Sequence, residues 1–429
     1  MTQLVKPNSS RLRVSRTLFS LVLVLAIAFF NVLTTGCTPS EARTAEQRTF
    51  LDLSLKFLGE YQLPKITFKD TPVGGLSALT YDRQSSQFLA LSDDRSNLAP
   101  ARFYTIKLAI VPQDTGDTGI KTVEVEDVTF LKDENGETYA KGSIDPEGIA
   151  LSPKGTVFIS SEGVTNQGIP AFIRECDRQT GQPLQRLRIP DRFLPREGGV
   201  GSREWGVGEV ENMTTGSEST EEEQAPRGIQ DNLGFEALTL EPNSLAVASG
   251  DPFRLFTATE SALFQDSLPP NSEDPNRVRL LHYLIGTIAS PMLVAEHLYL
   301  LDTPPNGTIG YGLTELLALD TQGHFLTLER AYGLFGFSIK IYQIALGGAT
   351  DTSNIVSLQG DISRIEPVKK KLVLDLKELG IDLDNLEGMT LGPRLPDGSQ
   401  SLILVSDDNF SEAQVTQFLL FSLKSGDHA

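Results

Sequence analysis

The chain is poor in the residues that most often carry catalysis or covalent cross-links. Its 429 residues include two cysteines, four histidines and one tryptophan. If Cys37 is modified at the N-terminus, Cys176 has no partner and an intramolecular disulfide is excluded. The histidines are scattered, and the sequence contains no G-x-S-x-G, Walker A, H-E-x-x-H or C-x-x-C motif. A serine triad or a phosphohistidine mechanism therefore has no candidate residues, and carboxylates, arginines and metal ions remain for chemistry.

Basic residues are also scarce relative to acidic ones. The chain has 37 Lys and Arg against 56 Asp and Glu, a formal charge of −19. Four of the basic residues, but no acid, lie in the first 36 positions, so the remainder is more acidic still. Such a surface repels nucleic acid and anionic lipid head groups and attracts cations. We therefore expect no nucleic-acid partner, and membrane contact only through an N-terminal lipid or anchor.

The N-terminus has the pattern of an export signal. A basic segment ends at Arg16, and an apolar run over residues 18–30 is short for a membrane span but typical of a signal peptide. The small residues before Cys37 resemble a bacterial lipobox, in which the cysteine is lipidated. We predict a signal peptide over residues 1–36, a tether over 37–48, and export to the cell envelope as a membrane-anchored lipoprotein or a periplasmic protein. A signal cleaved without lipidation, or kept as an anchor, is the alternative.

Long stretches with helical periodicity are also lacking, and short apolar runs separated by Gly, Pro, Asp and Asn take their place. Five segments repeat the order of a first strand, a turn, and a second strand that ends in an acid. The last apolar residues of the five first strands are Leu79, Leu151, Leu240, Leu319 and Leu391. Regular repetition of small β units predicts an all-β ring, a β-propeller with about five four-stranded blades. A sixth sheet within a long connection is an alternative, and so is a pair of β-sandwiches.

The ends of the repeat indicate how the ring closes. The fifth unit has a third strand over residues 417–423, and the chain then ends without a fourth strand. An apolar strand over residues 50–58 precedes the first unit and can supply it. We therefore predict one propeller domain over residues 49–429. Residues 196–231, acidic, glycine-rich and low in apolar residues, are predicted to form a solvated insertion loop.

The repeat also predicts where the acids lie. The start of one strand and the end of the next lie at the same end of an antiparallel hairpin, so the acids flanking each hairpin should meet at one rim. These acids are Asp93, Asp94, Glu147, Glu162, Glu236, Glu260, Glu315, Glu329, Glu387, Asp407 and Asp408. Strand alternation allows only one member of each aspartate pair to face inward. Bound metal ions, most naturally Ca²⁺, ion pairs with arginines such as Arg95 and Arg330, or exposure to water would each resolve the crowding.

At these residues the chain resembles the phytase-like (esterase-like activity of phytase) family. The resemblance covers roughly residues 60–423 and rests on several short stretches in order. These include residues 90–95, 145–149, 160–163, 232–238, 258–263, 326–330, 385–391 and 404–411. It implies a propeller-like domain and hydrolysis of phosphoesters or other esters. Clusters of Lys and Arg for a highly phosphorylated substrate are not evident.

Two functional hypotheses follow. In the first, the chain is an exported hydrolase that cleaves a small anionic ester with the help of Ca²⁺ and a water nucleophile. The candidate residues are Glu147, Glu236 and Glu387 for catalysis, Asp93, Glu162, Glu260 and Asp408 for metal binding, Arg95 and Arg330 for anionic oxygen, and Cys37 for lipidation. In the second, it is a non-catalytic lipoprotein propeller that binds a peptide, glycan or other envelope ligand.

Overall fold

Antiparallel β-strands make up most of the regular structure, and the pattern of short apolar runs explains why. The computed structural model describes residues 46, 49–112, 118–195, 226–242, 251–269, 272–286 and 289–426. Short 3₁₀ helices such as Thr165–Gln167 and Leu376–Leu379 occur in the connections. The predicted signal peptide, Cys37 and residues 196–225 of the predicted insertion lie outside the described residues. Among the described residues, no helix has the length and apolar character needed to cross a membrane.

The strands form five sheets of four. Ahead of the first complete blade lie β1 (Leu53–Leu63) and a small hairpin of β2 (Ile66–Phe68) and β3 (Thr71–Val73). Blade one contains β4 (Leu76–Asp82), β5 (Gln87–Ser92), β6 (Arg102–Pro112) and β7 (Thr118–Phe130). Blade two contains β8 (Pro146–Leu151), β9 (Val157–Ser161), β10 (Phe172–Cys176) and β11 (Pro183–Arg186). Blade three contains β12 (Phe235–Leu240), β13 (Phe253–Thr259), β14 (Arg277–Ile285) and β15 (Met292–Leu300).

The fourth and fifth blades complete the ring. Blade four contains β16 (Thr308–Ala318), β17 (His324–Gly333), β18 (Gly336–Ala345) and β19 (Lys369–Asp375). Blade five contains β20 (Asn385–Arg394), β21 (Gln400–Asp407) and β22 (Thr416–Ser425), and β1 is its fourth strand, paired antiparallel with β22. The predictions of five four-stranded blades and of closure by an N-terminal strand are therefore confirmed. The described residues form no sixth four-stranded sheet.

The core lies between the blades. Five clusters of buried apolar side chains each join neighbouring blades, including one between blade five and blade one. The first strands β4, β8, β12, β16 and β20 contact one another in that order around the centre, and β20 contacts β4. These central strands are buried over most of their length, apart from the first residues of β16, so they can bring side chains from all five blades together.

Candidate functional site

A β-bulge occurs at the same place in the first strand of every blade. The register between the first and second strands shifts after Leu76, Pro146, Phe235, Leu313 and Leu386. A bulge inserts an extra residue that the neighbouring strand does not pair and so redirects its side chain. The extra positions hold Ser77, Glu147, Glu236, Thr314 and Glu387. Three of the five blades therefore present a glutamate at this point near the centre.

The second strands supply another set of equivalent residues. In blades one to three the residue after the strand donates its N–H to the carbonyl of Gly75, Asp145 or Gly234. In blades four and five the equivalent residues pair with Gly312 and Asn385. The five side chains are those of Asp93, Glu162, Glu260, Arg330 and Asp407. Four blades thus place an acid at this position, and blade four places an arginine there.

The acids at these two sets of positions, together with Asp145, form one cluster of eight carboxylates, here called the central acidic cluster. Its members are Asp93, Asp145, Glu147, Glu162, Glu236, Glu260, Glu387 and Asp407. Two groups of three are tight: ligand atoms of Asp145, Glu147 and Glu162 lie within 4.8 Å of one another. The same holds for Glu162, Glu236 and Glu260, so Glu162 belongs to both groups.

Two arginines supply the opposing charge. The Arg330 guanidinium donates to Glu260 at 2.8 Å and to Asn385 Oδ1 at 2.8 Å, and lies 3.3 Å from Glu387. Arg95 donates from Nε to Asp145 at 2.6 Å and from Nη2 to Asn232. Eight ionised carboxylates against two guanidinium groups leave a formal charge of −6. The arginines therefore neutralise only the carboxylates that they contact, Asp145 beside Arg95 and Glu260 and Glu387 beside Arg330.

The middle of the cluster lacks hydrogen-bond donors. Within the described part of the chain, no group donates to the carboxylates of Asp93 or Glu236, and Glu147 contacts the carboxyl group of Asp145. Glu147 and Glu236 are only 9% and 7% exposed. Buried carboxylates without donors are costly unless they bind a proton or a cation. The middle of the cluster is therefore suited to holding positive charge that the protein itself does not supply.

The pKa values of these groups reflect the same lack of positive charge and of hydrogen-bond donors. Burial, reinforced by neighbouring carboxylates, raises the pKa well above the ordinary range for Asp93, Glu147, Glu162 and Glu236. Burial raises the pKa of Asp145 to about 6, although Arg95 opposes the shift. It raises the pKa of Asp407 to about 6 and that of Glu387 to about 8. Without a cation, the cluster therefore retains protons near neutral pH.

The other predicted rim acids lie outside the central acidic cluster. Asp408, proposed as a metal ligand, accepts from Lys65 and from the backbone N–H of Gly75, and Asp407 takes the inward position. Asp94 pairs with buried Arg102 at 2.8 Å. Glu329 accepts from Tyr299 at 2.6 Å and from Lys370 at 2.7 Å. In both aspartate pairs, one member faces the cluster and the other pairs with a basic side chain outside it, Asp94 with Arg102 and Asp408 with Lys65.

Blade four departs from the predicted alignment by one residue. Its bulge falls on Thr314, so Glu315 turns away and accepts N–H groups of Leu316 at 2.9 Å and Leu238 at 3.3 Å. Burial raises the pKa of Glu315 to about 8. The same offset turns Glu329 outward and brings Arg330 into the cluster. Blade four therefore contributes a positive charge where the sequence alignment predicts acids.

Glycines make room for the acids of the preceding blade. A Cβ atom on Gly312 would lie 2.3 Å from Glu260 Cγ, and one on Gly234 would lie 2.7 Å from Glu162 Cα. Both distances are too short for carbon atoms. Gly234, Gly312, Asn232 and Asn385 are site residues that the acid pattern alone did not indicate. Their common signal is position, because Gly234 and Gly312 lie directly before Phe235 and Leu313, after which the register of the first strand shifts.

The oxygen atoms of the central acidic cluster are suitable ligands for a hard cation. The cluster's ligand atoms are carboxylate oxygens, the ligand type that Ca²⁺ prefers, and the two groups of three come from blades two and three. Glu147, Glu236 and Glu387 are each 7–9% exposed, so this part of the cluster lies just below the protein surface. Both candidate anion-binding residues, Arg95 and Arg330, are engaged with cluster carboxylates. An anion would therefore depend on added positive charge.

Comparison with known proteins gives a family match. The family model "Phytase-like: Esterase-like activity of phytase" matches residues 71–410. A search of curated protein sequences gave no match. Among solved structures, the N-terminal domain of Nup159 has 13% identity and a TM-score of 0.31, over 87% of this chain and 96% of that one. A propeller of Dos1 has 8% identity and a TM-score of 0.28, over 86% and 95%. Similarities at this level do not bear on function.

Proposed function

Because the chain belongs to the phytase-like family, we propose that it is an exported hydrolase that cleaves phosphoesters or other esters with the help of a metal ion. The reaction centre is the central acidic cluster. One observation carries the proposal: the carboxylates of half-buried Asp93 and buried Glu236 accept no hydrogen bond from the described part of the chain, within a cluster of formal charge −6. A binding surface for a neutral ligand would not need this concentration of unpaired charge.

The cluster favours Ca²⁺ as the cation. A bound Ca²⁺ ion would neutralise carboxylates, bind an ester or phosphate oxygen and lower the pKa of a water molecule. The residues nearest to one another, Asp145, Glu147, Glu162, Glu236 and Glu260, are the proposed ligands. Glu162 lies at the junction of both groups of three, so its replacement should weaken binding most.

The remaining cluster residues have positioning and proton-transfer roles in this proposal. Glu387 accepts from Asn385 at 2.9 Å, and its raised pKa lets the carboxyl group hold or release a proton near neutral pH. Glu147 and Glu236 keep an exposed edge, so as proposed metal ligands they would lie beside the bound ester. Arg330 fixes Glu260 and Glu387, and Arg95 fixes Asp145. The arginines thus orient carboxylates, and their contribution to binding an anionic ester is electrostatic.

The proposal also includes the location of the protein, which we expect to be exported to the cell envelope. The basic and apolar N-terminus and the lipobox-like segment ending at Cys37 support export, with a tether carrying the propeller. The charge of −19 disfavours nucleic acid as a partner and favours metal cations. A small anionic ester in the cell envelope is the substrate class that these features suit.

Ca²⁺ dependence of both stability and turnover tests the proposal. A panel of phosphomonoesters and carboxylic esters is assayed with Ca²⁺ and with EDTA, and thermal unfolding is followed in parallel. We expect Ca²⁺ to raise the Tm and turnover to require it. Glu147→Gln, Glu236→Gln and Glu387→Gln should each lower kcat/KM at least tenfold. Glu175→Gln is the matched control, because Glu175 is buried in blade two and bonded to Thr156.

The outcome separates this function from a non-catalytic one. If Ca²⁺ stabilises the protein but no ester is cleaved, the cluster is a structural metal site of an envelope-binding propeller. If Ca²⁺ changes neither Tm nor turnover, the metal-assisted mechanism is wrong. Turnover that survives in all three glutamine variants would place the reaction elsewhere.

A further inference from the structure

One hairpin extends well beyond the level of the central acidic cluster. In blades one, two, three and five, pairing of the first two strands begins at or next to the cluster residue. In blade four, pairing continues past Arg330 to Gly333, opposite Thr308. Three further residues at about 3.3 Å each raise the β17–β18 hairpin roughly 10 Å above the cluster.

The raised hairpin has an apolar surface that the described residues leave exposed. Leu334 and Phe335 at its tip are 78% and 87% exposed, the two highest values among the large apolar side chains described. Tyr332, below them, is 41% exposed. Large apolar side chains grouped at one exposed turn are unusual unless something covers them.

The apolar surface is continuous with the acidic centre. Side chains two positions apart share one face of a strand, so Tyr332 lies on the same face as Arg330. The Arg330 guanidinium lies 5.8 Å from the centre of the Tyr332 ring. Opposite them, Gly310 and Gly312 provide a flat surface, since a Cβ on Gly310 would lie 2.4 Å from the Tyr332 ring. A polar centre and an apolar wall therefore meet at Arg330.

From this arrangement we propose that the substrate is an amphiphilic ester: its polar ester group lies at the cluster, and its alkyl or aryl group packs against Tyr332, Leu334 and Phe335. The proposal rests on the function proposed above and specifies its substrate class. Charge decides against the surface of an anionic membrane as the occupant. The chain carries a formal charge of −19 and is repelled by such a surface, whereas a single molecule meets that charge only at its polar end.

The test uses two phosphonates, which contain a C–P bond that ester hydrolysis cannot cleave. Binding of hexylphosphonate and methylphosphonate to the full chain is measured by calorimetry in Ca²⁺. Burial of part of the hexyl chain should make hexylphosphonate bind at least tenfold more tightly. The double variant Leu334→Ser/Phe335→Ser should reduce that ratio to below threefold without changing methylphosphonate binding. Leu184→Ser, at a 57% exposed position on β11, is the control and should keep the full ratio.

Each other result overturns the proposal. Equal affinities for the two phosphonates, an unchanged ratio in the double variant, or no binding of either would do so. Sedimentation with phosphatidylglycerol vesicles that depends on Leu334 and Phe335, without a hexyl preference, would identify a membrane contact instead. A hairpin-dependent hexyl preference in a protein that cleaves no ester would support the amphiphile site and reject the hydrolase.

Discussion

Two groups of buried charged residues in this propeller are built in opposite ways. In blade three, Arg279 donates to both oxygens of Asp266 and to Glu296, and Arg192 donates to Glu296 as well. The side chains of Arg279, Asp266 and Glu296 are fully buried, and the four charges cancel. The central acidic cluster has eight carboxylates and two arginines. The charges of the first group are balanced within the protein, whereas those of the second group are balanced only when protons or a cation bind.

The largest loss of stability should come from disrupting the balanced group that contains Arg279, Asp266 and Glu296. Arg279→Met leaves Asp266 and Glu296 buried without their main donor, which should cost about 3–5 kcal/mol of unfolding free energy. Urea unfolding with Ca²⁺ and with EDTA should give the same loss, because this group binds no metal in our proposal. Arg254→Met is the control, since Arg254 is 48% exposed and 3.7 Å from Glu241. A loss below about 1 kcal/mol would show that blade three does not depend on this group.

Glu315 is a third kind of buried charged residue, because it lies outside both groups. Its pKa rises from an ordinary value of 4.5 to about 8, so the folded protein holds its proton more tightly than the unfolded chain. The resulting stability is complete below pH 4.5 and is lost progressively until about pH 8. Glu315→Gln removes this dependence and should gain about 2–4 kcal/mol relative to wild type between pH 5 and 8.5. Unfolding of both proteins at each pH measures the gain, and a pH-independent difference would contradict it.

The fold was predictable because its signals repeat along the chain. Each blade has an apolar strand, a turn and a second strand, and the missing fourth strand of the last blade indicated closure by residues 50–58. Placement of individual acids was harder, because side chains alternate and one residue of offset reverses a strand's faces. In blade four the bulge falls on Thr314, which gives this offset, and Arg330 rather than Glu329 lies at the central acidic cluster.

Contacts between blades were also beyond the sequence pattern. Arg95 follows a strand of blade one but reaches Asp145 and Asn232, which are 50 and 137 positions away along the chain. Asn385 connects Arg330, Glu387 and Asp407, and the pattern of acids along the chain does not indicate this role. Such residues are identified by the packing of first strands around the centre, which depends on the whole ring.

Gly312→Ala tests how closely the central acidic cluster is packed. The added Cβ would lie 2.3 Å from Glu260 Cγ, so Glu260 must move and its bond to Arg330 weakens. Overpacking of this kind should cost about 1–3 kcal/mol, and Ca²⁺ affinity should fall with it. Gly347→Ala is the control, because its Cβ would meet no atom within 4 Å. Calorimetric Ca²⁺ titration and urea unfolding measure both effects. Unchanged values for both would show that Glu260 can move freely.

Glu236→Gln gives the smallest effect and the most direct contrast with Arg279. Arg279→Met removes a needed partner, whereas Glu236→Gln removes one of several like charges that have no partner. In EDTA at pH 8 the variant should be more stable than wild type by about 1 kcal/mol, a modest gain because the remaining coupled carboxylates redistribute their protons. In Ca²⁺ the order should reverse, because wild type gains from a ligand that the variant binds less well. Thermal unfolding under the two conditions measures the sign of each difference. A variant that is less stable than wild type in EDTA would mean that Glu236 is already satisfied within the protein, and the two groups of buried charge would then be alike.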